Sequence, residues 1–165
     1  MKIFKVLTLL TIVSSGSALA AEKSTEFKVK ELHREAAIIP KPFKSTLSKK
    51  ALVLPEIIHI NAESELINQA SRLQEMLSTP TGYDVELSHS GLADINLKLD
   101  ASLEQLGEEG YRLKVDASGI VITGFSAKGV YYGIETLRQL MPKEIYSKAH
   151  VNDIDWAVAF ADIED

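Results

Sequence analysis

Cysteine is absent from the 165 residues. That excludes disulfide staples, thiol nucleophiles and cysteine-ligated metal sites, so the fold must be held by burial alone. Positive charge is scarce as well: 18 Lys and Arg stand against 23 Asp and Glu, a formal net charge of −5. A surface of that sign, with no basic run, argues against nucleic acid, whose phosphates must be met by Lys and Arg. No apolar run reaches the roughly 20 residues that a membrane-spanning helix needs. No internal repeat and no low-complexity tract interrupts the chain.

What is present begins with a short apolar run. Lys2 and Lys5 precede residues 6–13, and Ala18-Leu19-Ala20 offers small side chains at a cleavage site. These are the parts of a secretory signal peptide at 1–20. A membrane anchor is the competing reading, and the run is too short for it. Without a following cysteine the lipid-anchored variant is excluded too. Cleavage removes two lysines and no acid, so the exported product carries −7. The expected destination is the periplasm, with the extracellular medium as the alternative, and no membrane contact after cleavage. About 145 residues then remain, a size at which a domain buries some 70% of its unfolded surface.

Residues 21–35 are polar and mixed in charge, which predicts a flexible lead-in, with the domain spanning 36–150. Ile38-Ile39-Pro40-Lys41-Pro42 predicts an extended opening, because proline fixes φ and biases its predecessor away from helix. Residues 51–54 and 57–60, split by Pro55, predict a broken strand or an edge pair. A helix follows, with Asn61 as cap, Glu63 and Glu65 in its first turn, and Leu66, Ala70, Leu73 and Leu77 as its apolar stripe. The run 79–82, with Pro80 and Gly82, ends it.

Three strands are predicted at 83–87, 95–99 and 111–115, the middle one alternating cleanly. Asp116-Ala117-Ser118-Gly119 is a turn signal that joins 111–115 to 120–123 as an antiparallel hairpin. A second helix starts at Ser126 and runs to Met141, before Pro142, with Val130, Ile134, Leu137 and Met141 facing inward. Gly129 and Gly133 sit one turn apart inside it. Each costs about 1 kcal/mol against Ala, which points to close backbone approach, to the sheet or to the first helix. The predicted class is α+β: a mainly antiparallel sheet with two helices packed on one face.

No reactive constellation emerges from the residues themselves. His33, His59, His89 and His150 are spread singly with no i,i+4 partner, so they are expected on the surface or in simple hydrogen bonds. Gly119, Gly124 and Gly129 match no phosphate-loop spacing. Glycoside hydrolysis uses paired carboxylates, and the dense acidic spots are Glu108-Glu109 and the group Asp153, Asp155, Asp162, Glu164 and Asp165. Both are expected to be solvated faces. Tyr131, Tyr132 and Trp156 could stack on sugar rings, but core positions are the expectation.

The stretch from Glu109 through the hairpin to Gly129-Val130-Tyr131-Tyr132-Gly133-Ile134-Glu135-Thr136-Leu137-Arg138-Gln139-Leu140 resembles the N-terminal, non-catalytic domain of glycoside hydrolase family 20, the β-N-acetylhexosaminidases. The opening at Ile39-Pro40-Lys41-Pro42 and the run from Trp156 to Asp165 are similar to that family's as well. The resemblance implies a (β/α)8 catalytic barrel following this domain as its partner, with 151–165 as the connection toward it. It implies a parent enzyme that removes terminal N-acetylhexosamine from glycans or chitin fragments, the substrate's own acetamido group assisting. No cofactor is implied. The family's catalytic pair lies in the barrel, so no catalytic, cofactor-binding or metal-ligating residue carries over, and this chain is expected to be a truncated, inactive piece. A comparable domain precedes the barrel in family 84 hydrolases and some α-glucuronidases, so the glycosidase class is firmer than the substrate. The alternative function is a free-standing glycan- or protein-binding accessory module of the same fold.

Overall fold

The computed structural model describes residues 27–32, 37–88 and 93–165. The predicted signal peptide at 1–20, the first part of the predicted lead-in, His33 and His89 lie outside the described residues.

In chain order the strands are β1 (Val29–Glu31), β2 (Lys44–Val53), β3 (Ile57–Ala62), β4 (Asp84–Ser88), β5 (Ile95–Leu99), β6 (Tyr111–Asp116), β7 (Gly119–Gly124) and β8 (Ala157–Glu164). Helix α1 (Ile67–Thr81) connects β3 to β4, and α2 (Ala127–Gln139) follows β7. All eight strands form one sheet in the order β1-β2-β8-β6-β7-β5-β3-β4. The α+β class stands, and the sheet is mixed. Four pairings, from β1 across to β7, are antiparallel, while β5 with β7, β3 with β5 and β3 with β4 are parallel. The parallel half follows from connectivity, because β3 reaches β4 through a whole helix, whereas β6 turns into β7 through Ala117 and Ser118.

Register explains which residues are dry. Ile163, Leu113, Ile122 and Leu97 lie in one row across β8, β6, β7 and β5, and all are buried. Helix α2 packs over β5, β6 and β7, and α1 over β3 and β4. The predicted helical stripes are the buried ones: Leu66, Ala70, Leu73 and Leu77 for α1, and Val130, Ile134, Leu137 and Met141 for α2. Each such side chain contributes about 1.5–3 kcal/mol relative to exposure.

Gly133 is set by proximity: a Cβ there would lie 2.5 Å from Ile122 Cγ2. At Gly129 the Cβ would collide with the carbonyl oxygen of Gly110, in the turn before β6. The close approach predicted from the two glycines is therefore to the sheet, not to α1.

Several expectations are corrected. Asn61 does not cap α1. It sits in β3, where its Nδ2 donates to Asn96 Oδ1 at 3.3 Å, and the helix is instead preceded by a 3-10 turn at Ser64–Leu66. The run 79–82 does end α1, as expected, with Pro80 inside its last turn and left-handed Gly82, φ 70°, closing it. Within the predicted lead-in the described residues 27–32 are part of the fold, since Phe27 is buried and β1 pairs with β2. β2 and β3 are not an edge pair, because four strands separate them. Within the predicted connection at 151–165, residues 157–164 are β8, an interior strand held between β2 and β6.

Candidate functional site

The outer side of the helix layer concentrates polar and aromatic groups. With Val130, Ile134 and Leu137 turned inward, α2 leaves Tyr131, Glu135 and Arg138 facing α1 and solvent, as the i, i+4, i+7 repeat requires. Arg72, from α1, donates to Glu135 Oε1 from Nη2 at 2.8 Å and from Nε at 3.3 Å. That contact pushes the Arg72 guanidinium further toward its charged form. Its plane also lies 4.8 Å from the ring centre of Tyr131, which meets Tyr132 edge-on at 5.4 Å.

Arg138 stacks on Tyr146 at 4.1 Å, Tyr146 belonging to a 3-10 turn at Lys143–Tyr146. The Arg138 Nη1 is 4.0 Å from Glu135 Oε2, a loose ion pair, and its Nη2 reaches the Ile145 carbonyl at 3.5 Å. Its Nε is buried with no hydrogen-bond partner. Between these elements runs a cleft of about 410 Å³ lined by Arg72, Met76, Pro80, Arg138, Ile145 and Lys148, among others.

A second polar centre joins strands. Asp94, 4% exposed, accepts the His59 backbone N–H at 2.6 Å and approaches its ring Nδ1 at 3.3 Å. The other ring nitrogen stands 3.6 Å from Glu86. His59 is thus flanked by two carboxylates that its sequence spacing did not show. His150 bonds Asn152 at 2.8 Å and lies against Gly82, where any Cβ would collide with its ring. Among the described residues no three His, Asp or Glu side chains are grouped to hold a metal ion. No helix among them is long and apolar enough to cross a membrane.

The acidic residues are distributed rather than convergent. Glu108 and Glu109 are exposed in the turn before β6, and Glu109 pairs with Lys128 at 2.5 Å. Asp155 pairs with Lys30, and Asp165 accepts the Phe43 N–H at 2.8 Å. Glu164 departs from the expected solvated face. Its side chain is 16% exposed and is gripped by Lys44 at 2.7 Å and Arg112 at 2.8 Å, which lowers its carboxyl below the usual range.

Of the three aromatic candidates Trp156 is core, as expected. Tyr131 is half-buried and Tyr132 exposed, so neither is the core residue that sequence predicted. The partners Arg72 and Tyr146 escaped sequence reading because they come from other elements. The Glu135/Arg138 spacing on α2 was the one local signal.

Fold and surface together define an α+β domain: one eight-stranded sheet with a helix layer that carries Arg and Tyr side chains on its outer side. The chain belongs to glycosyl hydrolase family 20, whose domain 2 matches residues 35–165. A β-hexosaminidase of Porphyromonas gingivalis is 31% identical over 136 residues, 79% of this chain and 17% of that protein. The N-acetyl-β-hexosaminidase of Streptomyces plicatus superposes with a TM-score of 0.71 at 30% identity, over 78% of this chain and 26% of that one. The family 20 β-N-acetylhexosaminidase of Streptomyces coelicolor gives 0.68 at 31%, again over 78% and 26%. The chain thus spans about a sixth to a quarter of the length of these three relatives.

Proposed function

We propose that this chain is the non-catalytic domain of an exported β-N-acetylhexosaminidase, built to support a catalytic barrel against its helix layer. On this reading the barrel carries the hydrolysis of terminal N-acetylhexosamine, and the present residues supply no reactive group. The observation that carries it is the match to domain 2 of the family over residues 35–165. The scattering of acids into separate ion pairs supports the absence of chemistry here, because protonating a leaving group and stabilising the developing cation require acids converging on one bond. The Arg and Tyr side chains outside α1 and α2 support a covered face, since these types are enriched where proteins meet. Residues 1–20 direct export to the periplasm, with the extracellular medium as alternative, and no cofactor enters.

The test is release of p-nitrophenol from its N-acetyl-β-glucosaminide by the purified chain, prepared in a host lacking such enzymes. No release is expected. Turnover that follows the chain through purification would falsify the assignment. Mass spectrometry of the exported product, expected to lack its first twenty residues, checks the targeting.

A further inference from the structure

The cleft on the helix layer has a defined electrical deficit. Arg72, Arg138 and Lys148 line it against Glu75 and Glu135, a local excess of positive charge on a chain whose net charge is −5. Glu135 is committed to Arg72, which takes the same carboxylate oxygen twice. What remains for Arg138 is a 4.0 Å ion pair and a 3.5 Å contact to a carbonyl, and its Nε has nothing. A guanidinium presents five donors in a planar fork, and buried donors are normally satisfied. Tyr146, 52% exposed, covers one face of that fork, and because Nε is itself buried the loosely held Nη1 and Nη2 are the binding element.

We propose that this cleft is an anchoring site for a carboxylate side chain of a protein partner, received by the Arg138 fork, with Lys148 beside it and half-buried Met76 beneath a flanking aliphatic residue. Arg matches carboxylates with two parallel hydrogen bonds, which Lys cannot do. Arg and Tyr in a partly desolvated pocket are also the side chains that dominate binding energy at interfaces. The inference rests on the helix layer being a covered face and names the chemistry of what covers it: an Asp or Glu beside an apolar residue.

The test uses the whole chain, labelled with ¹⁵N, and two peptides, acetyl-Leu-Glu-Leu-amide and acetyl-Leu-Gln-Leu-amide. The Glu peptide should move the Arg138 Nε–H resonance and the amides of Ser147 and Lys148, and the Gln peptide should bind at least about tenfold more weakly. Arg138→Gln and Arg138→Lys should both weaken the Glu peptide, whereas Arg112→Gln, on the other side of the sheet, should leave it unchanged. No shifts at about 10 mM peptide, about ten-thousandfold above micromolar binding, overturns the proposal. Equal binding of the two peptides also overturns it, and needs no variant to fold. The broader reading fails separately, through hydrolysis by the purified chain.

Discussion

The two faces of the central sheet differ by a shift of one residue. Ile163, Leu113, Ile122 and Leu97 form one cross-strand row, and Glu164, Arg112, Thr123 and Lys98, one position away on the same four strands, form the next. The first row is sealed beneath α2. The second is an ion-paired, partly wetted ladder in which Arg112 meets Glu164 at 2.8 Å. Alternation with period two makes the rows chemically opposite on identical backbone. Across these four strands stability should therefore sit mostly on the apolar row, leaving the polar row free to respond to pH and salt.

Truncation separates the faces most sharply. Ile122→Ala should cost about 2–5 kcal/mol in denaturant unfolding, from lost burial plus a residual cavity. Thr123→Ala, its neighbour on the polar row, should stay within about 0.5 kcal/mol. Comparable losses would erase the distinction. Next comes the seam between α2 and the dry row, where Gly133→Ala puts a methyl 2.5 Å from Ile122 Cγ2 and should cost about 1–3 kcal/mol by overpacking. Because the clashing atom belongs to Ile122, the double variant Ile122→Ala with Gly133→Ala should be less destabilised than the two losses added. Additivity would show that the helix moves as a whole instead. A smaller effect is expected at the polar contact buried in the same seam, Tyr111 Oη with Thr136 Oγ1 at 2.6 Å. Burial raises the Tyr111 phenol, so the hydroxyl stays protonated. Tyr111→Phe should cost about 1 kcal/mol, with part of that recovered by adding Thr136→Val.

Which face a residue occupies was legible in the sequence wherever the period was clean. Ile95, Leu97 and Leu99 alternate with Asn96 and Lys98, and strand 95–99 is found with those bounds. The hairpin and the inward stripe of α2 were legible for the same reason, since turn chemistry and i, i+4 spacing are local. Strand order was not, because it depends on which segments meet after more than a hundred residues. β8 reads as an apolar run leading onward, and nothing local says that it enters between β2 and β6. β1 was hidden by its composition: Val29-Lys30-Glu31 is too short and too charged to signal a strand, and it is held by pairing with Leu52, Ala51 and Lys50. The helix-layer cluster was half visible. Glu135 and Arg138 are three apart on one helix, whereas Arg72 and Tyr146 reach them from elsewhere.

The finest difference between the faces should appear on acidification, where the apolar row has nothing to titrate. Glu164 accepts from Lys44 and Arg112, and those bonds hold its carboxyl below the ordinary value. A carboxyl with a depressed native pKa binds fewer protons folded than unfolded. Its contribution is complete above the unfolded value of about 4.3 and is lost as pH falls through the native one. Unfolding midpoints at pH 7 and at successive steps below pH 4.3 should therefore converge for the native chain and Glu164→Gln as the solution becomes more acid. Salt should act in the same direction at neutral pH, narrowing the gap, because the Lys44 and Arg112 side chains are two-thirds and half exposed and screening reaches them. A gap between the two proteins that widens toward low pH would mean that Glu164 is strained rather than stabilised by its two bases, and that the polar row is tolerated by the sheet instead of contributing to it.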